Sequence, residues 1–244
     1  MKRRRTNGGG LLMSERLNGI RWVWFDIDDT LWDFSHNSAT ALRSIYDDFG
    51  LSSRFASAEK WISQYESINL PLWDLYNRGK ITKEFLQAER FYRTFVNAGF
   101  NGAELDRLDG MNEIYLDRLA SQSIAVEGSH ATLAELKRRG LHTGVVSNGF
   151  SGVQERKLKN AGLKIDVVVL SDEIDINKPD RRLFDYALQK SGATAEESLM
   201  VGDNPLTDIA GAIKAGWRSI LYKPTAPASS EGIIRSLPEL LDIL

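Results

Sequence analysis

Four short apolar runs along the chain each end in polar residues, and amphipathic segments separate them. Runs of this length that lack alternation are typical of buried parallel strands. The segments between them end at Gly140, Gly162 and Gly192, as helices closed by glycine do. The pattern therefore predicts a βαβα core built on a parallel sheet. The four runs are WVWFD (22–26), HTGVVSN (142–148), VVVLSD (167–172) and LMVGDN (199–204).

The stretch 38–119 has helical periodicity and no convincing strand. Leu42, Ile45 and Phe49 mark one apolar helix face. Three further helical groups follow, which predicts a helical bundle of about four segments inserted after the first strand. They contain Trp61, Tyr65 and Ile68, then Phe85, Leu86, Phe91 and Phe95, and finally Leu116 and Leu119.

The predicted fold class is α/β: a Rossmann-like parallel sheet with helices on both faces, joined to the helical insert. The core is expected over 21–37 and 120–244, and the inserted domain over 38–119. Residues 1–20 mix KRRR and NGGG with scattered polar positions, which predicts a mobile N-terminal arm.

Composition and charge disfavour some classes of function but say little about the fold. The 244 residues are 42% hydrophobic and 26% charged, as in globular proteins, and the formal net charge is −2. A binder of nucleic-acid polymers through a broad basic field is disfavoured, whereas a small anionic substrate remains possible. Neither a membrane-spanning run nor a secretory signal is present, so a cytoplasmic location is expected. The oligomeric state stays open.

Carboxylates are the main candidates for chemistry. Cysteine is absent and only three histidines occur, which removes thiolate and most imidazole chemistry. Because ligands of open α/β sheets bind at the carboxyl ends of strands, the residues just after each run should converge. This group of acids, a hydroxyl and a lysine suits a Mg²⁺ ion beside a phosphate. It comprises Asp26, Asp28, Ser147, Asn148, Lys178, Asp203 and Asp208.

Each motif taken alone also has a purely structural explanation. DIDDT and SNG are ordinary turn sequences, GDNP suits a strand end before a helix, and Lys178 could be a solvated lysine. Since extended backbone alternates sides, Asp26 and Asp28 can face one cavity while Asp29 points elsewhere. The order of the motifs along the chain makes the signal specific.

Together DIDDT, SNG, the lysine of NKPD and GDNPLTD resemble the four motifs of the haloacid dehalogenase superfamily, in its phosphatase branch. The helical insert then corresponds to a cap domain. The resemblance implies that Asp26 is the nucleophile that becomes an aspartyl phosphate. It implies that Asp28 is the general acid and base, although a free aspartic acid is ionised at neutral pH. Mg²⁺ would contact the Asp26 carboxylate, the Asp28 backbone carbonyl and Asp203.

The remaining motif residues take supporting roles under the same resemblance. Ser147 and Asn148 would form the phosphate-binding loop, and Lys178 would bridge the nucleophile and the phosphate. Thr30 and Asp208 would support the metal site from behind its direct contacts.

Part of the insert resembles the pyrimidine 5'-nucleotidases of this superfamily. The similarity lies in INLPLWDLYNRGKIT (68–82) and ERFYR (89–93) and continues through the later motifs. It implies a pyrimidine nucleoside monophosphate as substrate. Trp73 and Tyr76 are candidates for stacking on a base, and Trp32 for lining the mouth of the site. Packing in a core is the commoner role of such aromatics.

Other functions remain as alternatives. A phosphatase of sugar phosphates and a sugar phosphomutase share these short motifs. A dehalogenase is disfavoured because its leaving group needs no proton, whereas Asp28 is present here. A phospho-accepting receiver domain, from a different class, is disfavoured by the length of the chain and by the helical insert.

Overall fold

The sheet of the protein has six parallel strands in the order β3-β2-β1-β4-β5-β6. A computed structural model describes residues 17–227, 230 and 232–244. The first strand lies in the middle of the sheet, between the second and the fourth. The strands are β1 Trp22–Phe25, β2 His142–Ser147, β3 Val167–Leu170, β4 Ser198–Gly202, β5 Arg218–Tyr222 and β6 Ile233–Ile234.

Six helices follow β1 before the chain returns to the sheet at β2, and four more accompany the later strands in the described part of the chain. One π-helical turn, Pro205–Ile209, leads into α9. Within the described residues, every helix is too short or too polar to cross a membrane. The helices are α1 Phe34–Asp48, α2 Ala58–Asn77, α3 Lys83–Asn97, α4 Ala103–Asp106, α5 Met111–Ala120, α6 Ser129–Arg138, α7 Ser151–Asn160, α8 Arg181–Ser191, α9 Ala210–Lys214 and α10 Leu240–Ile243.

Alternate residues of β1 belong to two different cores, because successive side chains of a strand point to opposite faces of the sheet. Val23 and Phe25 pack in the larger core, which includes residues of α6 and α10. Trp22 and Trp24 pack in the second core, with residues of α8 and α9. Helices therefore cover both faces of a parallel sheet, which confirms the predicted fold class.

The inserted helices pack around a group of stacked aromatic rings. The Trp61 and Phe95 ring centroids are 5.4 Å apart, and the rings are nearly parallel at 8°. The first helix begins at Phe34, ahead of residue 38, because the Asp33 carboxylate accepts a hydrogen bond from the His36 amide and caps it. The structure adds the short α4 to the four segments predicted, and Phe85, predicted on an apolar face, is 41% exposed.

Two regions differ from the sequence-based expectation. The strands β5 and β6 were not predicted. The strand β6 has only two residues, and the two strands lie together at one edge of the sheet. Of the predicted mobile arm 1–20, residues 1–16 lie outside the described part. The prediction is wrong for residues 17–20, since Leu17 and Ile20 are buried and the Leu17 amide donates to the Ile243 carbonyl at 2.7 Å.

The close packing of β1 on β2 predicts the effect of replacing Gly144. A Cβ atom there would lie 2.1 Å from the Trp24 ring, so Gly144→Ala forces the tryptophan to shift. Such overpacking lowers the free energy of unfolding by about 1–3 kcal/mol, measured by urea denaturation. The control Gly152→Ala meets open space in α7 and leaves stability unchanged or slightly raised. Equal losses from both substitutions would contradict this packing.

Candidate active site

A buried lysine lies at the centre of the carboxyl ends of the strands. Lys178 is 2% exposed, and its Nζ lies 2.5 Å from Asp26 Oδ1 and 2.8 Å from Asp208 Oδ1. The Val146 carbonyl accepts a third hydrogen bond from it at 2.7 Å. Burial alone would lower the pKa of Lys178, but the charges of Asp208 and Asp26 outweigh burial and raise it. The ammonium group therefore stays charged.

The Asn148 side chain fixes the backbone that carries this lysine. Its Oδ1 accepts from the Lys178 amide at 2.7 Å, and its Nδ2 donates to the Lys178 carbonyl at 3.1 Å. The same Nδ2 donates to Asn77 Oδ1 of α2 at 2.9 Å, which ties the strand ends to the inserted helices. Asn148 thus lies at the site as predicted, but its side chain is occupied in holding the lysine loop.

Three carboxylates form the candidate metal centre. Asp26, Asp203 and Asp208 each offer an oxygen, and these oxygens lie within 4.8 Å of one another. Thr30 Oγ1 donates to Asp203 Oδ1 at 3.3 Å. Carboxylate oxygens are hard donors that suit Mg²⁺, and because this ion usually binds one or two carboxylates and keeps several waters, it would not need all three. The donor set therefore fits the ion that the sequence motifs predict.

Burial and neighbouring charges raise the pKa values of two carboxylates of this centre, Asp203 and Asp26. Burial, followed by the Asp208 charge, raises the pKa of Asp203 to about 7. Burial also raises the pKa of Asp26, although Lys178 opposes this. A bound divalent cation reverses such shifts because it favours the ionised carboxylate.

Asp208 reaches the centre because Gly202 has no side chain. A Cβ at Gly202 would lie 2.2 Å from the Asp208 carboxylate. Both oxygens of that carboxylate have protein partners: Oδ1 pairs with Lys178, and Oδ2 accepts from the Asn204 amide at 3.0 Å. Both oxygens are thus engaged by the protein, and the supporting role of Asp208 stays a prediction.

The neighbouring carboxylates of DIDDT have separate environments. Asp28 Oδ1 lies 2.7 Å from Lys157 Nζ, and its Oδ2 accepts from Gln154 Nε2 at 2.9 Å. Asp29 has a left-handed backbone with φ of 53° and accepts from the Ser35 amide and hydroxyl. It therefore forms the turn into α1, whereas Asp28 is connected to α7.

A cavity of about 230 Å³ lies over these strand ends. Helix α2 covers it, and the side of the cavity that α2 forms includes Asn69, Leu70, Trp73 and Asn77. Asn69 is 3% exposed, and its Oδ1 has no hydrogen-bond partner among the described residues. On the core side, the lining includes Asp26, Asp28, Ser147, Asn148, Lys178, Asp203 and Asp208.

The three aromatic candidates have different positions. Trp73 lines the cavity, with its ring against Phe150 at 5.4 Å between centroids. Tyr76 does not line it; the Tyr76 side chain is buried against Phe150. Trp32 is 0% exposed and lies in the core, so its predicted place at the mouth of the site is wrong. The aromatic spacing alone did not distinguish these environments.

Four polar residues of the site were not predicted from the sequence. Gln154 and Lys157 lie three positions apart on α7, so they share a helix face, but the same spacing occurs on countless solvated helices. Asn69 and Asn77 likewise share one face of α2 with Trp73. Only the tertiary contact between these helices and the strand ends identifies them.

The fold and the site are those of an α/β protein that gathers carboxylates at the carboxyl ends of its strands. A family model described as haloacid dehalogenase-like hydrolase matches residues 20–216. The match covers most of the chain, and the protein belongs to this family.

Individual relatives extend the similarity over nearly the whole length. The chain is 32% identical over 231 residues to the pyrimidine 5'-nucleotidase YjjG of Escherichia coli (strain K12), covering 91% of this chain and 97% of that protein. It is 31% identical over 208 residues to a glyceraldehyde 3-phosphate phosphatase of Methanothermobacter thermautotrophicus, covering 83% and 85%. The magnesium-bound crystal structure of the putative hydrolase YfnB from Bacillus subtilis superposes with a TM-score of 0.81 at 26% identity, covering 92% of this chain and 98% of that one.

Removing one carboxylate of the centre is expected to abolish stabilisation by Mg²⁺. A ligand that binds only the folded state stabilises it, by about 2.7 kcal/mol at a hundredfold excess over Kd. We expect Mg²⁺ to raise the thermal midpoint of the wild type and not that of Asp203→Asn, measured by calorimetry. Asp185→Asn, on the exposed side of α8, is the control that keeps the shift. A full shift in Asp203→Asn would exclude this carboxylate from the metal site.

Proposed function

We propose that the protein is a Mg²⁺-dependent phosphomonoester hydrolase that acts through an aspartyl phosphate on pyrimidine nucleoside monophosphates. The observation that carries the proposal is the contact of Asp26 with the buried Lys178, beside Asp203 at the floor of the cavity. An ammonium group at this point offsets the repulsion between a carboxylate nucleophile and a phosphate dianion. Membership of the hydrolase family supports the same chemistry.

The first half of the proposed reaction transfers the phosphoryl group to Asp26. One Asp26 oxygen attacks phosphorus in line with the leaving oxygen, the bond from phosphorus to that oxygen breaks, and protonated Asp28 gives its proton to the leaving alkoxide. Lys178 holds the Asp26 carboxylate, and Ser147 contacts the phosphoryl oxygens. Mg²⁺, held by Asp26, Asp203 and the Asp28 backbone carbonyl, would supply charge neutralisation at phosphorus.

The second half regenerates the enzyme. Asp28, now ionised, takes a proton from water while the water oxygen attacks phosphorus. The bond from phosphorus to the Asp26 oxygen breaks, which releases inorganic phosphate and restores the Asp26 carboxylate. Asp28 ends the cycle protonated, so protons and atoms balance over the two steps.

The nucleotide assignment rests on the inserted helices and on a relative. YjjG is a pyrimidine 5'-nucleotidase, and its similarity to this chain includes the insert. Helix α2 contributes the Trp73 ring, on which a base would stack, and the Asn69 amide, whose Oδ1 has no other partner among the described residues. An amide of this kind matches the polar edge of a pyrimidine.

A phosphatase of small sugar phosphates is the second candidate, because a relative of nearly the same identity is a glyceraldehyde 3-phosphate phosphatase. A phosphomutase uses the same short motifs. Dehalogenation and a signalling receiver remain disfavoured, since Asp28 lies beside the site and the insert covers the cavity.

A substrate panel tests the assignment directly. We expect release of inorganic phosphate from UMP, dUMP and dTMP to exceed release from purine nucleotides and sugar phosphates, and EDTA to abolish all of it. Phosphate would be assayed with Mg²⁺ or EDTA present. Activity that survives EDTA would exclude the metal mechanism, whereas a flat or sugar-only profile would exclude the nucleotidase assignment.

Substitution of the two acids separates their roles. Asp26→Asn removes the nucleophile and should abolish turnover. Asp28→Asn keeps the shape of the acid but donates no carboxyl proton, so kcat should fall about 10²–10⁴-fold. Steady-state kinetics on the best nucleotide give both values. Full turnover in Asp28→Asn would end its role as the acid.

Substituting the α2 residues that line the cavity should weaken the affinity for nucleotides but not for phosphate esters that lack a base. Trp73→Ala removes a stacking surface worth about 1–3 kcal/mol, so KM for UMP should rise about tenfold or more while KM for ribose 5-phosphate hardly changes. Asn69→Ala should act in the same direction. Tyr92→Ala is the control, because that ring is 55% exposed on α3 and does not line the cavity. Equal changes for both substrates would place the base elsewhere.

A further inference from the structure

Two polar side chains on α7, Lys157 and Gln154, are buried, although such side chains are usually exposed to solvent. Lys157 is 2% exposed, and its ion pair among the described residues is with Asp28. Gln154 is 0% exposed, and its Oε1 has no hydrogen-bond partner in the described part of the chain. Burying a lysine, or leaving an amide oxygen unpaired, each costs free energy. Features of this kind concentrate where function requires them.

Both side chains converge on the same carboxylate. Lys157 Nζ lies 2.7 Å from Asp28 Oδ1, and Gln154 Nε2 donates to Asp28 Oδ2 at 2.9 Å. The carboxylate is therefore held at two points, one on each oxygen. The alternative orientation of the Gln154 amide would bring its oxygen against the carboxylate, so Asp28 fixes the orientation as well.

The lysine cannot easily take another position. Its Nζ lies 4.4 Å from the Trp32 ring centroid and 5.3 Å from that of Phe34, which are cation–π distances. Trp32, expected from the sequence to contact substrate, thus contacts Lys157 in the core. The aromatic rings confine the ammonium group to the side of α7 that faces Asp28.

Gln154 also connects Asp28 to the phosphate-binding loop. Its Nε2 donates to Ser147 Oγ at 3.0 Å, and the Gly149 amide donates to the same oxygen at 3.1 Å. With both acceptor positions used, the Ser147 hydroxyl hydrogen is free to be donated elsewhere. Gly149 is required for this contact, since a Cβ there would lie 2.0 Å from the Gln154 side chain.

We propose that Lys157 and Gln154 are positioning residues: together they hold the Asp28 carboxyl group against the leaving-group oxygen, and Gln154 also orients the Ser147 hydroxyl toward the phosphoryl group. This inference rests on the proposed function, in which Asp28 transfers the proton. A general acid acts only within about 2.6–3.2 Å of the atom it protonates, and a misplacement of about 1 Å can cost 10²-fold in rate. In this proposal both side chains act through Asp28 and Ser147 rather than on the substrate itself.

The test compares two substrates that differ in their need for a proton. The alkoxide released from a nucleoside or sugar phosphate must be protonated, whereas the nitrophenolate released from 4-nitrophenyl phosphate leaves without help. For Lys157→Met we expect kcat/KM, which covers only the steps up to phosphoryl transfer to Asp26, to fall about 10–100-fold on the alkyl ester and less than about threefold on the aryl ester. Lys157→Arg, which keeps the charge, should recover most of the alkyl-ester activity.

The second substitution has a different expected signature. Gln154→Met should slow both substrates, because Ser147 binds the phosphoryl group of each, and should slow the alkyl ester further. Lys159→Met is the matched control, since that lysine is exposed on the same helix and should leave both rates unchanged. Equal losses on the two substrates in Lys157→Met would contradict the proposal and indicate a merely structural role.

A double substitution shows whether Lys157 acts through Asp28. If it does, Asp28→Asn with Lys157→Met is no slower on the alkyl ester than Asp28→Asn alone. Losses that multiply would overturn the proposal. Thermal midpoints identify any variant that fails to fold. If Lys157→Met does, the Arg variant carries the test: a loss larger on the alkyl ester than on the aryl ester supports the proposal, and an equal loss on both contradicts it.

Failure of the substrate assignment remains distinguishable. If the wild type hydrolyses no nucleoside monophosphate but does hydrolyse a sugar phosphate, the pyrimidine nucleotide is excluded. The comparison of alkyl with aryl ester then uses that sugar phosphate and tests Lys157 and Gln154 unchanged.

Discussion

The ion pairs of Lys178 with Asp26 and Asp208 are the interaction on which the site depends. They join three separate chain segments: the end of β1, the loop before α8 and the turn after β4. Around the one ammonium group lie three carboxylates, so the ionised centre carries two negative charges in excess. Removing the lysine would leave buried carboxylates without a counter-charge. The free energy lost in this way is much larger than the net stability that the ion pairs contribute. The same excess charge suits a divalent cation.

Two helices, α2 and α7, make the other contacts that shape the site. Helix α2 closes the cavity and contacts the lysine loop through Asn77 and Asn148. Helix α7 starts directly after the loop that follows β2 and turns Gln154 and Lys157 toward Asp28. Asp26 and Asp28, the proposed nucleophile and acid, are therefore held by different partners although they lie only two residues apart. This separation explains how three crowded carboxylates in DIDDT coexist: one pairs with Lys178, one with α7, and Asp29 with its own turn.

Sequence reasoning was sufficient where local pattern and strand-end geometry decide position. The four main strands, the helices closed by glycine and the convergence of Asp26, Lys178, Asp203 and Asp208 followed from periodicity and from the rule that parallel strands end together. Sequence reasoning failed where packing between distant elements determines the position of a side chain. Trp32 and Trp73 look equivalent in sequence, yet one is in the core and the other lines the cavity. Lys157 and Leu17 became informative only through contacts with residues more than a hundred positions away.

The stereochemical course at phosphorus tests most directly whether Asp26, rather than water, makes the first attack. Attack by Asp26 followed by water is two in-line displacements, each of which inverts phosphorus. A nucleoside 5'-thiophosphate made chiral with oxygen isotopes should therefore give inorganic thiophosphate with overall retention of configuration. Overall inversion would mean that water displaces the leaving group in one step, and would contradict a covalent intermediate on Asp26.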